Sequence, residues 1–131
     1  MSMMAAMLMM ASAGTAAAPV TGDFDRDGTP DVAEIEDAPG GGKQLVVKPG
    51  REGALPLVVA LIDQPETFHF GKATPGTYAT ACGKGLGPVG EPCPRSAVAV
   101  EGDTLRFGTD EASEAVAIWT GTAFERVWLS D

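Results

Sequence analysis

From Asp31 onward, apolar residues come in short runs that alternate with polar ones or are cut by glycine and proline. "PDVAEIE" alternates weakly, "APGGGK" is a turn cluster, and "KQLVVK" reads as a short strand that "PGREG" ends. "ALPLVVALID" reads as a longer strand with Pro56 near its start. "TFHFGK" puts Phe68 and Phe70 on one face and His69 on the other. "ATPGTYATACGKGLGPVGEPCP" holds so many breakers that it reads as the main irregular segment. "SAVAVEGDTLRFGT" predicts a hairpin turning at Gly102-Asp103, and "EAVAIWTGTAFERVWLSD" a second one turning at Thr120-Gly121-Thr122. No segment has a sustained helical period; Asp110–Ser113 comes nearest, as one turn. The pattern predicts an all-β, mainly antiparallel sheet or sandwich domain of about six to eight short strands joined as hairpin meanders. Its expected core is Val46, Leu57, Val59, Leu61, Phe68, Val98, Leu105, Phe107, Val116, Ile118, Val127 and Leu129.

The first residues break this pattern. "MSMMAAMLMMASAGTAA" carries no charged side chain, is rich in Met and Ala, and ends in small residues. It reads as a secretory signal peptide over 1–17, leaving one domain over 18–131 and no transmembrane segment after cleavage. The n-region lacks Lys and Arg, which departs from the usual signal. Export implies a periplasmic or secreted protein. There Cys82 and Cys93 are expected to form a disulfide, with two free thiols as the alternative. Zinc would need four ligands, and the only histidine, His69, lies far upstream. The formal charge of −9 belongs to residues 18–131 and offers no basic patch for nucleic acid.

Charge clusters most densely in "GDFDRDGTPDVAEIE". From Asp23 the loop reads D-x-D-x-D-G-x-x-D, which suits calcium's need for six to eight hard oxygens. Asp23, Asp25 and Asp27 take alternate places, Gly28 permits a sharp turn, Thr29 offers its backbone carbonyl, and Asp31 ligates directly or through water. The alternative is a solvated acidic turn. Glu34 stands at the twelfth place, where an EF-hand puts its bidentate ligand, so it is a possible further ligand. An EF-hand also needs flanking helices, and "EIEDAPGGGK" cannot continue one. The loop therefore reads as entering a strand.

"GDFDRDGTPDVAEI" resembles the calcium loop of FG-GAP/VCBS-type repeats, the blade motif of integrin-like β-propellers. "PGTYATACGKG", "GEPC", "FGTDEASEAVAIW" and "FERVWLSD" resemble a family of uncharacterised secreted proteobacterial proteins. Together these resemblances imply a small exported, propeller-blade-like domain with one calcium loop and no assigned activity. With one such loop, the chain is too short for a whole propeller.

Candidate catalytic groups are sparse. His69 lies on a strand between two phenylalanines; Ser96, Ser113 and Ser130 lack a G-x-S-x-G context. "CGKGLG" lacks the spacing of a phosphate loop. Glu111 and Glu114 read as a solvated turn, and Trp119 and Trp128 as cross-strand packing. The expectation is a non-catalytic module that meets a protein or glycan partner. The alternative is a periplasmic enzyme inhibitor, presenting the 82–93 loop, or a small hydrolase.

Overall fold

The computed structural model describes residues 18–86, 90, 92–110 and 113–130. The expected signal segment 1–17 and Glu111 lie outside them. Ten strands follow in order: β1 (Val20–Gly22), β2 (Asp31–Asp37), β3 (Lys43–Lys48), β4 (Leu57–Ile62), β5 (Phe68–Lys72), β6 (Gly76–Ala79), β7 (Ala97–Val100), β8 (Leu105–Thr109), β9 (Glu114–Trp119) and β10 (Phe124–Ser130). The all-β expectation holds, with more strands than the pattern predicted, and every pairing among the described residues is antiparallel. One four-stranded sheet runs β1-β2-β3-β4, a second runs β10-β9-β8-β5, and β6-β7 forms a two-stranded ribbon.

The layers follow from where the apolar residues go. Phe24, Ala33, Leu45, Val47, Ala60 and Ile62 meet Leu105, Phe107, Ala115 and Ala117 between the two sheets. On the other face of the second sheet, Val116, Val127 and Leu129 pack against Ala73, Val98 and Val100. β9 is thus covered on both sides, Ala115 and Ala117 toward one core and Val116 and Ile118 toward the other. That accounts for its unbroken apolar run, "AVAI".

Four expectations are corrected. β7 and β8 do not form a hairpin: β7 pairs with β6, and β8 with β5 and β9. A hairpin would have put both apolar sets in one sheet, whereas Val98 and Val100 fill one core and Leu105 and Phe107 the other. Leu61 was expected inside but is 69% exposed. The register of β4 on β3 shifts between Leu45 and Val46, leaving Val59 as an extra residue. A β-bulge inverts the in–out alternation beyond it, so Ala60 and Ile62 turn inward and Leu61 outward. The segment read as irregular contains β6 and a 3-10 turn at Cys82–Lys84. Leu57, Val59, Phe68 and Ile118 are half-buried rather than buried, while the other expected core residues are buried.

The hairpin turning at Thr120–Thr122 is present, with Phe124 opposite Trp119 and their ring centroids 4.9 Å apart. Cys82 and Cys93 form a disulfide, which closes the loop beside β6 and β7. Among the described residues no helix is long and apolar enough to cross a membrane.

Candidate metal centre

The acidic loop is the connection between β1 and β2, and the Gly22–Asp31 pair closes its base. Phe24 turns inward and is buried in the inter-sheet core. That anchor holds the loop against the sandwich, where Asp25 and Asp31 are buried, Asp23 is half-buried and Asp27 is exposed. Arg26 adopts a left-handed φ of 62°, and Gly28 one of 87°; the two positions curl the chain back toward its start.

Asp23, Asp25, Asp27 and Asp31 each bring a carboxylate oxygen to within 4.8 Å of the others. The fully buried Asp31 accepts from the Phe24 and Asp25 N–H groups at 2.8 and 3.2 Å on one oxygen, and from Gly50 N–H at 3.0 Å on the other. Asp23 accepts the N–H groups of Asp27 and Gly28 at 3.1 and 2.9 Å. Asp27 Oδ1 accepts the Thr29 N–H at 2.9 Å. Those bonds satisfy backbone donors in a loop that has no ladder to offer them.

Asp25 is different. Its side chain is 0% exposed, and among the described residues Oδ2 is met by Arg51 Nη1 alone, at 2.6 Å. Oδ1 is buried and has no hydrogen-bond partner among the described residues. Burial, then the Asp27 and Asp31 carboxylates, push Asp25 up to about 6. Asp27 is held below the usual carboxylate range, first by the Thr29 N–H and then by Arg51, whose Nη1 lies 3.0 Å from Oδ2. Arg51 belongs to the 49–53 turn, where the sequence showed only a strand breaker. Nothing in "PGREG" marks it as a partner of residues 24 to 26 positions upstream, because the link depends on how β3 returns beside the loop.

The Asp31–Gly50 bond brings that turn against the loop so closely that a Cβ at Gly50 would lie 2.0 Å from the Pro30 carbonyl oxygen. On the other side, Asp103 Oδ2 accepts the Asp23 N–H at 2.9 Å, which holds Asp103 low. Arg26 Nη2 donates to Thr104 Oγ1 at 3.0 Å. The Glu101–Thr104 corner, expected to be a hairpin turn, is therefore the loop's outer wall.

Glu34 is not part of this gathering. It lies opposite Val46 in the β2–β3 ladder and forms an ion pair with Lys48. Thr29 is half-buried at the loop's end, its N–H on Asp27.

A second polar cluster surrounds His69. Its Nδ1 lies 3.1 Å from Asp110 and its Nε2 2.7 Å from Glu114. Glu114 also accepts from Arg106 Nε at 3.1 Å. The Glu114 hydrogen bond, chiefly, raises His69 above its ordinary value. Beside the disulfide runs an open groove of about 470 Å³, lined in part by Ala81, Leu86, Pro94, Val127 and Trp128. Its charged neighbours Arg95 and Glu125 pair with each other at 3.2 Å.

No family model matches the chain, and no curated protein or solved structure matches it either. The acidic cluster is capable of holding a metal ion.

Proposed function

We propose that this chain is an exported, non-catalytic β domain in which Asp23, Asp25, Asp27 and Asp31, with the Thr29 carbonyl, hold one calcium ion. The observation that carries the reading is the Asp25 side chain, fully buried with one oxygen unpartnered. A buried carboxylate oxygen without a donor is costly, and a cation removes that cost. An all-oxygen donor set selects a hard ion. Ligands on opposite sides of calcium stand about 5 Å apart, given bonds of about 2.3–2.6 Å. The four carboxylates already lie within 4.8 Å of one another, a spread such a shell can span. Magnesium's smaller, rigid octahedral shell fits this spread less well.

The loop joins the two sheets through Phe24 and braces the 49–53 turn and the Glu101–Thr104 corner. An ion there stiffens one whole end of the sandwich, as suits a module that presents a surface to a protein or glycan partner. The apolar groove brings an ion pair rather than two convergent carboxylates. The disulfide supports an oxidising compartment.

Calorimetric titration of the domain is expected to show one calcium site, with affinity on the order of 10⁻⁴–10⁻³ M or tighter. Asp25→Asn and Asp27→Asn are expected to abolish it, while Glu34→Ala leaves it intact. No heat at millimolar calcium, together with a melting temperature indifferent to chelator, would sink the reading.

A further inference from the structure

The cation site already contains a cation. Arg51 Nη1 contacts Asp25 Oδ2 and Asp27 Oδ2, at 2.6 and 3.0 Å, the carboxylates a metal would use. The rest of the turn is fixed independently of that side chain. Gly50 donates its N–H to Asp31 and sits against the Pro30 carbonyl with no room for a Cβ. The Ala54 N–H donates to the Arg51 carbonyl at 3.2 Å, closing the turn behind it. The Arg51 side chain itself is 47% exposed. Its guanidinium can therefore leave for solvent while its backbone stays in place.

Resting on the calcium reading above, we infer that Arg51 is the site's resident counter-ion and sets its divalent affinity by competing for Asp25 and Asp27. A guanidinium and a divalent ion cannot share two carboxylates a few ångströms apart without strong repulsion. One enters as the other leaves. In the metal-free protein Arg51 partly neutralises a gathering of carboxylates that would otherwise repel one another. In the loaded protein it is released to solvent at the loop's rim. Linkage makes the effect reciprocal: whatever Arg51 costs the metal, the metal costs Arg51. Arg26 does not share this role, because its guanidinium is directed to Thr104 and Gly102 on the other side of the loop.

The test compares the wild-type domain with Arg51→Gln and Arg51→Lys, titrated with calcium chloride in a calorimeter and melted in chelator and in saturating calcium. Arg51→Gln should bind calcium about tenfold more tightly, within the range of about 5- to 150-fold usual for such coupling. It should melt below wild type in chelator and level with it in saturating calcium. Arg51→Lys, which keeps the charge but loses the planar fork, should fall between. Removing a positive charge would tighten binding somewhat even if Arg51 never moved. Nitrogen-15 NMR of the wild-type side chain separates the two cases: the Arg51 guanidinium protons should be protected in chelator and exchange freely once calcium saturates the site. Calcium binding with unchanged or weaker affinity in Arg51→Gln overturns the inference, and so do guanidinium signals that stay protected at saturation. In both cases the calcium site itself survives. If neither wild type nor variants bind calcium, the calcium reading fails and this inference fails with it.

Discussion

The acidic loop and the His69 corner are both clusters of carboxylates around basic side chains, yet they obey different electrostatics. At the corner, Asp110 and Glu114 face His69 and Arg106, and each carboxylate has a basic partner at 2.7–3.1 Å. Water reaches most of these groups, and the pairing is local bookkeeping on a surface. In the loop, four aspartates face one guanidinium, two of them are buried, and one buried oxygen has no partner among the described residues. A charged cluster that is balanced and wet needs no ligand. One that is unbalanced and partly dry holds its shape at a cost that an added cation relieves. Most of the loop's carboxylates have a structural use that could pass for a complete explanation, since Asp23, Asp27 and Asp31 all accept backbone N–H groups. Asp25 is the residue that separates the two clusters.

The largest effect that sharpens this contrast is expected at Asp31. Asp31→Ala strips the acceptor from three backbone N–H groups at a fully buried site and should cost about 3 kcal/mol or more in urea unfolding. Calcium comes next. On the calcium proposal the ion binds the folded state alone, so a hundredfold excess over its dissociation constant should stabilise the domain by about 2.7 kcal/mol. The His69 corner should contribute nothing to that gain, so His69→Gln should show the same calcium shift as wild type.

Asp25→Asn should show no shift and, in chelator, should be more stable than wild type by about 1 kcal/mol, since it removes a charge that burial penalises. A less stable metal-free Asp25→Asn would mean that the Arg51 bond outweighs the buried charge, and the contrast would blur. The smallest effect is at the corner: Glu114→Gln should cost about 0.5 kcal/mol, as partly exposed pairs do.

Dependence on pH distinguishes the clusters further. Asp25 holds its proton more tightly when folded than when unfolded, so metal-free stability should fall as pH rises from 3.8 through about 6. His69 is also raised, so its contribution is complete below 6.5 and is lost as pH rises through the higher folded value. The sign is the same and the causes are opposite. Burial disfavours the charged Asp25, whereas neighbouring carboxylates favour the charged His69. Calcium should abolish the first dependence and leave the second, while salt should weaken the second more than the first. Unfolding free energies measured across this range, with calcium and with chelator, check both.

Much of this protein was legible along the chain. Strand alternation and turn residues are local properties, so the all-β class, the β9–β10 hairpin, the turn cluster between β2 and β3 and the in–out placement of Phe68, His69 and Phe70 could be read directly. So could the aspartates, because spacing within a short closed loop nearly dictates that their side chains converge. What could not be read depends on residues far apart in sequence meeting. The bulge at Val59 arises from how β4 fits β3, and it alone decides that Leu61 faces out. The parting of β7 from β8 follows from two cores on opposite faces of one sheet, which no local alternation can distinguish from one. Arg51, Gly50 and Asp103 reach the loop only because the 49–53 turn and the Glu101–Thr104 corner are folded against it. Sequence by itself determined that carboxylates would gather in the loop that enters β2. Tertiary structure decided which of them is buried, which oxygen is left without a partner and which cation stands beside it, because burial and long-range pairing exist only once the sheets have closed.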